Sequence, residues 1–391
     1  MLNFVKLSSQ MAGMSSQLAE EAGHLSRKTD WALALLDELQ IKKEEVLATF
    51  AAHRSSLSFS CAIPIGQLEP TLVEPMNDRH SVIATDGSQI APNRHEIAYC
   101  YLINVGRVVL HYGTAEYPLL ESIPEIYYKA SDLYKARQWG ISPEEWMGLQ
   151  RRVAEVQNLT ELCLSHTRST PLLALEDGSL IHWHLETYPQ EAKQEFLQPI
   201  LACWDKLAER RIPLVGYISA PRSVEINNFL RLLVCPYDQP QCQKHCAHLS
   251  LEEAPCSKLH PLRDASLWHK CLTANYASGL WQSQASILSE YREHQIYVTY
   301  MHTGQEMARI EMPQWTALDP ELRRQALSIV LSQVQKGYGY PIALAEAHNQ
   351  AVVTSTDRRR FFMILEQQMI KSGLKQVGTS LKEARKRRSI A

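Results

Sequence analysis

The sequence lacks any apolar run long enough to span a bilayer. Its opening stretch, "MLNFVKLSSQMAGMSS", has neither a long apolar core nor a cleavage-site pattern. No signal peptide is therefore expected, and the chain reads as cytoplasmic with no membrane segment. There is no repeat array, no low-complexity tract and no glycine-rich phosphate loop. An excess of one charge is also missing: 40 basic residues stand against 42 acidic ones, a net charge of -2 at pH 7. That excludes a surface basic throughout, so any grip on a polyanion must be local. The nine cysteines are odd in number, and without an export signal a disulfide framework is not expected. What is present is a 391-residue chain, 45% hydrophobic and 21% charged. It has room for two or three domains, or for one large α/β domain with additions.

Residues 1–60 read as a helical segment. In "TDWALALLDELQIKKEEVLATFAAH", Trp31, Leu35, Leu39, Val46 and Phe50 fall near one face. From residue 80 onward strands alternate with helices. "SVIATDG" reads as one strand, and "HEIAYCYLINVGRVVLHYGTAEY" as two that turn near Asn104-Val105-Gly106. "SPEEWMGLQRRVAEVQNLTELCLSHT" predicts a long helix with Ser142 as its cap, Pro143 in the first turn and Glu145 three residues after the cap. "PLLALEDGSLIHW" predicts another strand. The alternation predicts an α/β fold with a mixed central sheet flanked by helices on both faces.

Two stretches share a pattern. "SVIATDGSQIAP" and "TPLLALEDGSLIHW" each read as an apolar strand that ends on an aspartate followed by Gly-Ser. Asp-Gly-Ser alone is a good turn sequence. Two copies, each behind an apolar strand, point further. Asp86 and Asp177 would stand where the strands of α/β sheets present ligand sites. Two carboxylates brought together repel unless they share a proton or a cation, and magnesium or manganese prefers such oxygens. That donor set suits phosphate chemistry, in which one ion activates water and another steadies the leaving oxygen. The helix before Asp177 offers Glu155 at the edge of its apolar stripe (Val156, Leu159, Leu162, Cys163), while Glu161 points away from it. His348, in the apolar context "LAEAHNQAVV", is either a core residue or a neutral imidazole able to ligate a metal or accept a proton.

These segments, with "VGYISAPRSVEINNFLRLL", "MARIEMPQW" and "GYPIALAEAHNQAVVTSTDRRRFF", occur in an order that resembles the NurA nuclease family over roughly residues 80–365. The resemblance implies a fold like ribonuclease H and a manganese- or magnesium-dependent deoxyribonuclease. It implies 5′-to-3′ exonuclease and single-strand endonuclease activity on DNA ends in double-strand break repair. It also implies a homodimer working with a hexameric translocase of the HerA type. By the motif match, Asp86, Glu155, Asp177 and His348 would hold the metal. A nearby tyrosine is also implied, with Tyr340 as candidate.

Further features would support such a site. After a strand, Arg222 and the Ser223 hydroxyl can bind a phosphate. Arg309 and Glu311 share a strand face and are expected to pair. The basic tail 371–391, with Lys386, Arg387 and Arg388, can grip phosphates without reading sequence. Within an expected insertion at 235–262, Cys235, Cys242, Cys246 and Cys256 can form a four-thiolate site for structural zinc or an iron–sulfur cluster, with His245 or His248 as substitutes. The competing reading is a non-catalytic adaptor that binds DNA or a translocase. A phosphatase-like hydrolase is disfavoured by the missing glycine-rich loop.

Overall fold

The computed structural model describes residues 3–92, 96–166, 170–250 and 253–373. Lys386, Arg387 and Arg388 lie outside the described residues. The chain divides into two compact units. The first is Met1–Val73, Ile218–Leu288 and Gln295–Glu311; the second is Glu74–Tyr217, Ser289–His294 and Met312–Ala391. No helix among the described residues is long and apolar enough to cross a membrane.

In the first unit a 50-residue helix, Phe4–His53, starts at Asn3, whose side chain accepts from the Lys6 amide at 3.1 Å. It deviates from helical geometry at Lys42. The face predicted from spacing is the one that packs: Leu35, Leu39, Val46 and Phe50 are buried in a core with Phe229, Trp268, Trp281 and Tyr300. Strands Ala62–Ile65, Leu280–Ser283 and Ile296–His302 lie side by side and antiparallel, and Met307–Pro313 follows in the sheet order.

The second unit carries Asp86 and Asp177. Its strands are β1 (His80–Ile90), β2 (Tyr101–Tyr112), β3 (Leu119–Tyr127), β4 (Leu172–Asp177) and β5 (Leu214–Ile218). Their spatial order is β3-β2-β1-β4-β5. The first three run antiparallel, whereas β4 lies parallel to β1 and β5 parallel to β4. Its principal helices are α1 (Pro143–Ser165), α2 (Gln190–Glu209), α3 (Pro320–Lys336), α4 (Ile342–Ala351) and α5 (Ser355–Lys371). The central strands β1 and β4 are buried on both faces, as parallel strands covered by helices require. Helix α1 starts as its sequence predicts. The Ser142 hydroxyl accepts from the Glu145 amide, and the Glu145 carboxylate accepts from the Ser142 amide at 2.9 Å.

Two expectations about turns are corrected. Strand β1 does not end at Asp86; it runs on through Gly87 and Ser88 to Ile90, paired with β2 throughout. Nor does the chain turn at Asn104-Val105-Gly106, because β2 is one uninterrupted strand. The turn-like residues serve helix packing instead. A Cβ at Gly106 would sit 2.3 Å from the Ala347 carbonyl oxygen and 2.6 Å from the Ala351 nitrogen of α4. The Asn104 side chain donates to the Ala351 carbonyl at 2.8 Å, at the end of α4 where carbonyls lack helical partners. Backbone contact that close admits only glycine.

Candidate active site

Asp86 and Asp177 are brought together by sheet register. Thr85 pairs with Glu176 across the parallel β1–β4 ladder, so the two aspartates are the next residue on each strand. Asp86 also lies opposite Gly106 on β2. Because Gly106 lets α4 approach closely, His348 of α4 reaches Asp86, with Nδ1 2.8 Å from Oδ2. His348 is not a core residue: its side chain is 68% exposed, against 23% for Asp86.

The other sheet face delivers Glu155. Side chains alternate along a strand, so Gly87 faces away from Asp86. Helix α1 lies there, anchored by the Thr85 hydroxyl donating to the Glu155 carbonyl at 2.9 Å. A Cβ at Gly87 would meet Glu155 Oε1 at 2.4 Å and Arg151 Cγ at 2.6 Å. The glycine leaves room for this carboxylate beside the strand that carries Asp86.

The electrostatics follow from burial. Glu155 is buried, and desolvation raises its pKa above the ordinary glutamate value. Arg152 and Arg151 oppose that rise, and the charge of Asp86 adds to it. Desolvation also raises Asp177; a hydrogen bond from Tyr340 opposes this, and Asp86 again adds to it. Tyr340 packs edge-on against Tyr217 of β5, with ring centroids 5.7 Å apart. Arg152 pairs with Glu155 at 3.3 Å and with Glu176. Burial opposes the charge of this guanidinium, but Glu176 and Glu155 together hold its pKa above the ordinary arginine value.

Asp86, whose charge is felt by both Glu155 and Asp177, and the imidazole in contact with it belong to a donor set that a hard divalent cation fits. Asp86, Asp177, Glu155 and His348 would hold it. Among the described residues, however, no three of these bring donor atoms within 4.8 Å of one another.

The NurA domain model matches residues 80–353, about seven-tenths of the chain. The chain belongs to the NurA domain family. No curated protein matches it. Among solved structures, the NurA nuclease from Sulfolobus solfataricus aligns with 87% of this chain and 98% of its own, at 13% identity and a TM-score of 0.45. LC9-RNase H1, a type 1 RNase H with the type 2 active-site motif, aligns over 43% of this chain and 77% of its own, at 11% identity and a TM-score of 0.20. Family membership rests on the domain model and not on these two likenesses.

The remaining candidates within the NurA domain are placed elsewhere. Glu161 is 68% exposed and pairs with Arg107 at 3.3 Å. Ser223 belongs to the first unit, where its hydroxyl accepts from Arg309 at 2.8 Å and donates to Glu225. Arg309 also pairs with Glu311 at 2.8 Å, as expected, and with Glu225 at 2.7 Å. Beside them, burial pushes the Asp264 carboxyl up to about 6. Arg222 is exposed. The helix after Ser223 is only six residues long, Glu225–Leu230. The cysteines 235, 242, 246 and 256 are neighbours: burial raises the Cys235 thiol, and the charges of the other three add to this. Their sulfurs do not form a trio within 4.8 Å. Arg231 donates to the Cys256 sulfur at 3.2 Å. Arg151, Arg152 and Glu176 were not singled out from the sequence. The available signal was Glu176 itself, a charge beside a run of buried apolar residues that needs a partner.

Proposed function

We propose that the chain is a metal-dependent deoxyribonuclease with a ribonuclease H-like domain, acting on DNA ends. The observation that carries this reading is the pair Asp86 and Asp177 on adjacent parallel strands, with His348 in contact with Asp86 and Glu155 packed against the neighbouring Gly87, in a chain of the NurA domain family. The strand order β3-β2-β1-β4-β5 supports the ribonuclease H-like description. Asp86, Glu155, Asp177 and His348 would hold manganese or magnesium, which when bound would supply Lewis acidity toward water and the leaving oxygen.

The chain's own residues have separate tasks. Asp86 is fixed by backbone pairing on β1, and its carboxylate also accepts from the Gly87 amide at 2.8 Å. Arg152 orients Glu155 from below through a pair that burial strengthens. The Tyr340 hydroxyl orients Asp177. His348, exposed and with Nδ1 against Asp86, would present its other ring nitrogen to the cation at the solvent face. We read the activity as 5′-to-3′ exonuclease and single-strand endonuclease, in end resection by a homodimer with a HerA-type translocase. Arg222 and the tail residues Lys386, Arg387 and Arg388 would add phosphate contacts. The four cysteines would hold a structural zinc ion or an iron–sulfur cluster.

The test is cleavage of end-labelled linear single- and double-stranded DNA with manganese, with magnesium and with chelator, beside an Asp177→Ala variant. Metal-dependent cutting that the variant loses supports the nuclease. No cutting in any condition, with the translocase supplied, replaces it with the adaptor reading.

A further inference from the structure

A second group of potential ligands lies at the far end of the same sheet. The register pairs Ser81 with His111 and Asp86 with Gly106, so His111 stands five residues from the Asp86 level. At strand rise that is about 17 Å. The chain leaves β2 at Tyr112 and turns at Gly113, where φ is +67°. The Thr114 hydroxyl accepts from the Glu116 amide, and Glu116 returns beside the strand, with Oε2 3.5 Å from Nδ1 of His111. On the helix side, α1 ends at Ser165, and His166 closes it with its amide bonded to the Leu162 carbonyl at 3.1 Å. The His166 ring stacks on His111, centroids 5.2 Å apart and planes 23° apart.

Three observations point to a cation here. One donor atom from each of His111, Glu116 and His166 lies within 4.8 Å of the other two, the only such trio among the described residues. Nε2 of His166 is buried and has no hydrogen-bond partner among the described residues, a state that costs free energy until something fills it. The position is also the C-terminal end of a 23-residue helix, where the helix dipole favours positive charge. Two imidazoles and one carboxylate suit zinc better than magnesium or calcium, which take all-oxygen shells. The Glu116 side chain is 43% exposed and opens the group to solvent, while that of His111 is 7% exposed.

We propose that His111, Glu116 and His166 form a zinc site separate from the carboxylate centre, clamping the β2–β3 connection to the end of α1. Three protein ligands leave the fourth tetrahedral position to water. This inference does not depend on nuclease activity.

The test is zinc stoichiometry and affinity on the full chain. Protein stripped with chelator is titrated with zinc against a chromophoric competitor. The variants are His111→Ala, His166→Ala and Glu116→Gln. Asp177→Asn and a Cys242→Ser/Cys246→Ser double variant report on the other candidate metal centres. The expected result is one zinc equivalent fewer in each histidine variant, and zinc bound at least about 10-fold more weakly in Glu116→Gln. The Asp177 and cysteine variants keep that equivalent. Wild-type stoichiometry and affinity in either histidine variant, or wild-type affinity in Glu116→Gln, overturn the three-ligand site. Should a histidine variant fail to fold, by circular dichroism, the Glu116→Gln titration decides alone, since its solvent-facing side chain can change without disturbing the core.

Discussion

The two Asp-Gly-Ser triplets have the same three residues and different structures. Around Asp86 the backbone stays extended, and Gly87 is a packing glycine whose missing Cβ makes room for Glu155 and Arg151. Ser88 accepts from the Val353 amide at 3.0 Å, just past α4. Around Asp177 the strand ends, and Gly178 is a turn glycine with φ +91° and nothing within 4 Å of where a Cβ would stand. Ser179 bonds within its own turn, its hydroxyl accepting from the Ile181 amide at 3.0 Å. Glycine thus answers two separate demands, interatomic space at the first triplet and a left-handed backbone at the second. One aspartate is presented from the middle of a ladder, the other from a strand terminus.

Several substitutions sharpen that contrast. The largest effect is expected at the aspartates: Asp86→Ala and Asp177→Ala should each lower metal-dependent DNA cleavage at least about 100-fold, the upper end of what loss of a supporting partner costs a metal site. Equal activity in either variant would remove that triplet from the centre. Next comes Arg152→Leu, which leaves Glu155 and Glu176 buried without their cation; a loss of about 3–5 kcal/mol in urea unfolding is expected.

The glycines should then separate. Gly87→Ala forces the Glu155 carboxylate aside at a cost of about 1–3 kcal/mol, and activity should fall with it. Gly178→Ala meets open space and only backbone strain, about 1–2 kcal/mol, with Glu155 undisturbed. If both variants lose activity in proportion to stability alone, the distinction between them fails.

The smallest effect is a pH slope. The pKa of Asp177 is raised on folding, so the native state binds more protons than the unfolded chain just above the ordinary value of 3.8. Its contribution is most favourable below that value and is lost as pH rises through the folded pKa. Metal-free Asp177→Asn should therefore show a shallower loss of thermal stability over that range than the wild type. Added manganese should stabilise the wild type more than the variant.

Much of the second unit was legible because its patterns are local. The capping box at Ser142 and Glu145 fixed the start of α1, and the apolar stripe placed Glu155 inward and Glu161 outward. The misread features depend on distant chain. Asn104 and Gly106 resemble turn residues until a helix some 240 residues later is laid across them, and no short window contains that helix. His348 sits among apolar neighbours, yet those neighbours face the sheet while it faces out. Arg152 and Glu176 form one ion pair from two elements, and only the packing of α1 on β4 reveals it.

The strand that carries Asp86 has a consequence in time as well as in space. Its amides lie in a ladder between two neighbours, the part of a protein that opens only with global unfolding, so hydrogen exchange there should be slowest. After Asp177 the Gly178 amide still donates to the Tyr217 carbonyl at 2.9 Å, and the chain then turns away; the residues of that turn can open locally at lower cost. Hydrogen exchange would thus set the two aspartates apart, slow along the strand that carries the first and faster in the turn that follows the second.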